Sequence, residues 1–346
     1  MIRVRHTALT IFVLCLAALP ARAEPEYAAI NAAIAKEVMI PAYARLAETT
    51  QTFAKDWQKA CAGKDVGLDR LKSSYHAVAD AWAESFHWNI GPVTLLLRRD
   101  RFYHWPERRN AVLKGLNKLF ADQAPEKLEL QNFAHISVAA QGLPAMERML
   151  FEHTDTLDKP WNCKIAQTIA ANMEEMAGGI VEEWRDDVLP VMKRGEEHPI
   201  YFSGPKETLN KLFTDLLTGY AIIKDQKILP VMGSSAQKAK PALVEARRSE
   251  RFARNLKHNL QTLFATDAIL ARHLPEAEAR DLAQKREAVM AQALALPDFG
   301  EAVYDEQGRA QYKAFVDAVS SLRTDMLSAY TKHLGVVVGF NSLDGD

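Results

Sequence analysis

The chain has 346 residues and is 48% apolar and 25% charged, the make-up of a globular protein with material for a sizeable core and a length suited to about two domains. Disorder, collagen and a disulfide-dense mini-fold are excluded. With 43 Lys+Arg against 44 Asp+Glu the chain has no polybasic character, so nucleic acid is not an expected partner.

The first segment reads as a signal for export. Arg3 and Arg5 form a positive start, Ala8 to Leu19 is an apolar stretch too short for a typical membrane span, and Ala21-Arg22-Ala23 fits a cleavage site. Residues 1–23 are therefore expected to be removed, leaving a mature chain that starts at Glu24. Cys15 comes after Leu14 rather than a small residue, which argues against a lipid anchor. No later apolar run reaches the length of a span, so the mature chain is expected in the periplasm or otherwise with the cell envelope, without a transmembrane helix.

Helical spacing dominates the mature chain. Tyr27, Ile30, Ile34 and Val38, then Leu46, Thr50, Phe53 and Trp57, recur at steps of three and four. Pro41 should kink or split that helix, and Gly63 stands where a terminating glycine would. Leu71, Tyr75, Val78, Trp82 and Phe86 repeat the pattern, with Asp69 placed to cap it and Gly91-Pro92 to stop it. Residues 91–105 read as irregular and Pro106 as the first residue of a new helix. Leu128–Ala140 reads as helical, then Gly142 and Pro144 interrupt. Lys164–Leu189 is a long helix ended by Pro190, and Gly178-Gly179 inside it suggest a neighbouring helix close by. Gly195–Pro205 is a loop, and further helices are expected at 206–218, 241–273, 276–293 and 310–333. Val336–Val338 is the lone short β-branched run. The fold expected is all-α: two antiparallel helical bundles packed together, divided as 24–160 and 161–346.

Two cysteines remain after export, Cys61 and Cys163. An oxidising compartment and an even count point to one disulfide. It would close a loop of about 100 residues, which stabilises by roughly 4–5 kcal/mol in the chain-entropy account. The alternative is two buried thiols.

The common catalytic templates are missing: P-loop, dinucleotide fingerprint, CxxC pair, EF-hand loop, GxSxG elbow and HExxH. His104 and Glu107 have a spacing that metal ligands on a helix can use, but Pro106 lies between them. That places Glu107 near the positive end of a helix rather than beside His104. Arg98, Arg99, Arg101, Arg108 and Arg109 interleave with Phe102, Tyr103 and Trp105, and Arg247, Arg248, Arg251, Arg254 and Lys257 form a second basic cluster. Such groups hold an anion, or else face solvent and pair with carboxylates.

Several stretches taken together resemble the imelysin family of exported bacterial proteins: Trp82 through Gly91-Pro92; Asp100-Arg-Phe-Tyr-His-Trp-Pro-Glu107; Gln141-Gly-Leu-Pro-Ala-Met-Glu-Arg148; Thr214-Asp-Leu-Leu-Thr-Gly219 leading to Lys227; Arg247-Arg-Ser-Glu250 with Arg254-Asn-Leu256; and Leu334-Gly-Val336 with the tail Gly339–Asp346. The resemblance implies two helical bundles with a site near their interface. It also implies either a metallopeptidase-like hydrolase or a non-catalytic component of iron or metal homeostasis in the cell envelope. The family motif is GxHxxE. Gly142 and Glu147 match it, but Pro144 stands at the histidine position, and proline is neither a metal ligand nor a base.

The residues this points to are Glu147, as the leading polar group and a candidate ligand for iron or another divalent metal, and Gly142 with Pro144, which aim it. Trp105 is a candidate pocket wall. Asp100, Arg101 and Arg254 are candidates for orienting Glu147 or binding an anion. No catalytic residue is assigned. Asn341, Asp344 and Asp346 offer further oxygen donors at the tail. The function expected is a non-catalytic binding protein for a metal or small ligand; the alternatives are a hydrolase and an envelope interaction protein that takes no small ligand.

Overall fold

The computed structural model describes residues 26–339; the expected export signal, Cys15, Asn341, Asp344 and Asp346 lie outside them. Helices build the chain in the order α1 (Tyr27–Ile34), α2 (Ile40–Cys61), α3 (Leu68–Ala83), α4 (Arg98–Phe102), α5 (Ala111–Asp122), α6 (Leu130–Phe133), α7 (Gly142–Phe151), α8 (Pro160–Glu183), α9 (Leu189–Arg194), α10 (Pro205–Ala221), α11 (Leu229–Met232), α12 (Phe252–Ala271), α13 (Glu276–Ala295), α14 (Phe299–Ala302) and α15 (Glu306–Leu334). No strand forms among the described residues beyond a single bridge between His198 and Phe202. The fold is all-α.

Three prolines shape it in the same way. Pro41, Pro190 and Pro230 each stand two residues beyond a wide π-turn, at Ala35–Met39, Trp184–Val188 and Ile222–Ile228. Proline has no N–H to donate, and its ring collides with the carbonyl one turn back. Widening that turn removes the collision and lets the helix continue. The helix expected to end at Pro190 therefore runs on to Arg194, where Gly195, at φ +69°, ends it.

Other expectations need correction. Leu128–Ala140 breaks into short turns around α6. Pro106 begins no helix; α5 starts at Ala111. Residues 241–251 are turns instead of the start of a helix, and α12 begins only at Phe252. Beside Gly179 lies the Arg98 side chain, not another helix backbone.

Packing is set by the apolar faces. α2 lies along α8 and α3; α1 lies against α9, α10 and α12; α13 packs on both α12 and α15. One continuous core of buried side chains results, and it runs across residue 160. Cys61, closing α2, is bridged to Cys163 in the first turn of α8, with Cα atoms 5.7 Å apart.

Candidate functional site

The α7 helix supplies the floor of the main cleft. Pro144, Glu147 and Arg148 recur at i, i+3 and i+4 and so share one face, and all three line an opening of about 600 Å³. Gly142 brings this helix close to α4. Its φ is +67°, and a Cβ there would run into the carbonyl oxygens of Arg101 and Phe102. Two irregular segments form the rims, Tyr103–Asn110 and Ala242–Arg248, and Asp225, Gln226 and Pro230 complete the wall. Arg109, Asn110, Ala246 and Glu250 hold left-handed φ of +57°, +52°, +48° and +55°, a conformation that side-chain-bearing residues keep only where their surroundings impose it.

Carboxylates tie both rims to α7. Glu147 is 5% exposed, and its Oε1 accepts from Ser249 N at 3.0 Å and Ser249 Oγ at 2.7 Å. Burial raises the Glu147 pKa, opposed by those two hydrogen bonds and by Arg248. Glu107 accepts from Val112 N at 3.0 Å, capping α5 from outside, and from Arg148 Nη2 at 3.2 Å. Glu107 does lie near a helix's positive end, but that helix starts at Ala111 and not at Pro106 as expected. Arg148 also donates to Glu152 at 2.6 Å, and Arg248 pairs with Glu152.

Three cleft cations have no such partner. Arg108, Arg109 and Arg247 line the cleft, are exposed, and make no side-chain hydrogen bond or ion pair among the described residues. Arg148 is 4% exposed and its Nε–H has no partner.

Behind Trp105 lies a small chamber of about 70 Å³. Lys227 donates there to Glu245 at 2.7 Å and to Asn259 at 2.6 Å. The Tyr103 hydroxyl donates to the other Glu245 oxygen at 2.9 Å. The Lys227 ammonium stands 4.9 Å from the Phe86 ring centre and 5.7 Å from that of Trp105, within cation–π range. Burial lowers the Lys227 pKa, opposed by Glu245. Burial, with the Glu245 charge beside it, pushes the Tyr103 hydroxyl well above its ordinary value.

Of the residues singled out from sequence, Glu147 and Trp105 line one cleft, Gly142 begins the floor helix, and Asp100 borders the inner chamber. Arg101 and Arg254 are committed elsewhere. Arg101 donates to Gln141 at 3.1 Å and Asn172 at 2.6 Å. Arg254 grips Asp80 on α3 at 2.5 Å. Neither guanidinium reaches Glu147. Sequence reasoning passed over Ser249 and Glu245; Ser249 lies inside the quoted Arg247–Glu250 stretch, whereas Glu245 carries no local signal.

The donors around Glu147 do not make a metal site. One oxygen already accepts two hydrogen bonds, and the other faces the Arg248 guanidinium at 3.8 Å, a like charge to any cation. Among the described residues no three His, Cys, Asp or Glu side chains are grouped to hold a metal ion. Nor is any described helix long and apolar enough to cross a membrane.

The family model for imelysin matches residues 39–326. The chain is also similar to an imelysin-like protein from Psychrobacter arcticum 273-4 of known crystal structure. The TM-score is 0.73 at 20% identity, covering 91% of this chain and 97% of that one, a likeness of fold. No curated protein matches the chain.

Proposed function

The chain belongs to the imelysin family, and from that premise we propose that it is an exported, non-catalytic binding protein of the cell envelope whose cleft takes a small anionic ligand. The observation that carries this is the surplus of Arg108, Arg109 and Arg247 around a cleft of about 600 Å³. Arginine presents paired donors that match carboxylate and phosphate oxygens, and a pocket of this volume suits an organic molecule. The family's link to iron then works through metal carried as an anionic chelate, not through a bare cation on Glu147.

A hydrolase reading has less support. Hydrolysis needs an activated water or nucleophile open to substrate. Pro144 brings no donor to the floor, and Ser249, which touches Glu147, is buried and does not line the cleft. Holding the rim is the role its geometry fits.

Mass spectrometry of the protein isolated gently from its own envelope fraction tests the reading. The N-terminus is expected at Glu24, with an organic anion released on denaturation and missing from an R108A/R109A/R247A variant. A protein retained in the cytoplasm would overturn export, and peptide turnover lost in Glu147→Ala would restore the hydrolase. An envelope protein that carries nothing would favour the interaction-protein alternative.

A further inference from the structure

The two rims of the cleft carry separate sets of unpaired cations. Arg108 and Arg109 sit on the segment leaving α4, and Arg247 sits on the turn before α12. More than a hundred residues of sequence part them, and α7 joins them: Arg148 holds the first rim through Glu107, and Glu147 holds the second through Ser249. Glu152, the residue after α7, is spent on the inner arginines, Arg148 and Arg248. The outer three face one opening with no counter-charge of their own.

We propose that the ligand of this cleft is an organic oligoanion with at least two separated anionic groups, one for each rim, on a flat apolar body. The proposal rests on the anion reading above and adds its geometry. An anionic group taken up by one rim alone leaves the arginines of the other unpaired. Two groups on one rigid body neutralise both and relieve the repulsion between them. Two independent features agree. Arg148, although ion-paired with Glu107 and Glu152, is buried on the floor with its Nε–H unpartnered, so an unused hydrogen-bond donor lies below the rim. Arg109 and Ala246, one on each rim, both hold left-handed backbone, a costly conformation for a side-chain-bearing residue. The rest of the wall, Trp105, Pro106, Pro144 and Leu243, is suited to stacking on a planar body.

The test is calorimetric titration of the mature chain with benzoate, isophthalate and benzene-1,3,5-tricarboxylate, which share one flat body and differ in the number of carboxylates. Citrate and pyrophosphate serve as unrelated oligoanions. The di- and tricarboxylate should bind at least about tenfold tighter than benzoate. R108A/R109A and R247A should each reduce them to the benzoate level, and combining the variants should cost little more. Circular dichroism of these exposed-site variants confirms that they fold. Equal affinity along the series, or independent losses from the two rims, overturns the bridging proposal while leaving the anion reading in place. No binding of any compound, citrate and pyrophosphate included, overturns both.

Discussion

Glu147 accepts two hydrogen bonds from Ser249, one from its backbone N–H and one from its hydroxyl, across 102 residues of sequence. The carboxylate that a family motif would assign to a ligand is thus engaged in holding the 246–250 turn against α7. Removing it leaves the buried Ser249 N–H unsatisfied, at a cost of about 1–3 kcal/mol. Glu147→Ala should lower the unfolding temperature and speed hydrogen exchange at Ser249 selectively. Unchanged exchange there would mean that the turn holds its shape without the clamp.

The Lys227–Glu245 pair is the most enclosed ion pair beside the cleft, with exposures of 2% and 3%. Taking away one partner of such a pair costs about 3–5 kcal/mol, whereas replacing both with apolar residues of similar size is often neutral. In urea, Lys227→Met should be strongly destabilised, and the double variant K227M/E245L should regain most of the loss. A double variant as weak as the single one would show that the Tyr103 and Asn259 contacts depend on the charges.

Across the α3–α12 seam, His76 Nδ1 accepts a hydrogen bond from Arg251 Nη1 at 2.8 Å. Burial, then the charges of Arg251 and Arg254, bring its pKa from 6.5 down to about 4, with Asp80 opposing and Lys72 adding a little. A pKa lower in the folded state means that folding favours the neutral ring. Stability from this group is complete above about 6.5 and is lost as pH falls towards 4. For Asp80, burial is outweighed by the hydrogen bonds from Arg254 and Arg251, which hold its carboxyl below the usual value; its contribution is lost at still lower pH. Unfolding measured from pH 8 to pH 4 should show a shallower decline in His76→Asn, which keeps an acceptor for Arg251 but does not titrate. Identical slopes would assign the decline to other groups.

Gly142→Ala combines a positive φ with a collision against the carbonyls ending α4. Backbone strain alone costs about 1–3 kcal/mol, and the collision adds to it. The variant should unfold at lower temperature and bind ligand more weakly, since the cleft floor and the Arg108–Arg109 rim meet at this contact. Wild-type stability would mean that α4 withdraws freely.

Much of this fold is legible in the sequence because helical spacing is a local signal. Leu71, Tyr75, Val78 and Trp82 announce α3 with no knowledge of the rest, and the even count of Cys61 and Cys163, with the export expected from the first segment, points to their bridge. The prolines mislead where a wide turn absorbs them, as at Pro190. Residues 241–251 mislead for another reason: Ser249 and Arg248 answer to carboxylates on α7, and no window of sequence around them contains that information. The site divides along the same line. Glu147 and Trp105 can be picked out by motif, but which arginines stay unpaired depends on where every carboxylate lies. Arg101 and Arg254, attractive in sequence, find Gln141, Asn172 and Asp80, while Arg108, Arg109 and Arg247 find no partner among the described residues.

If the cleft takes an anion and Glu147 holds protein rather than metal, the two kinds of ligand must respond to different residues. The most direct measurement is calorimetry of the mature chain with citrate on one side and bare iron, zinc, copper and calcium ions on the other, repeated with Glu147→Ala and with R108A/R109A/R247A. One citrate should bind per chain, weakened at least about tenfold in the arginine variant, and no cation site should depend on Glu147. Stoichiometric binding of a bare cation, lost in Glu147→Ala and indifferent to the arginines, would contradict this assignment.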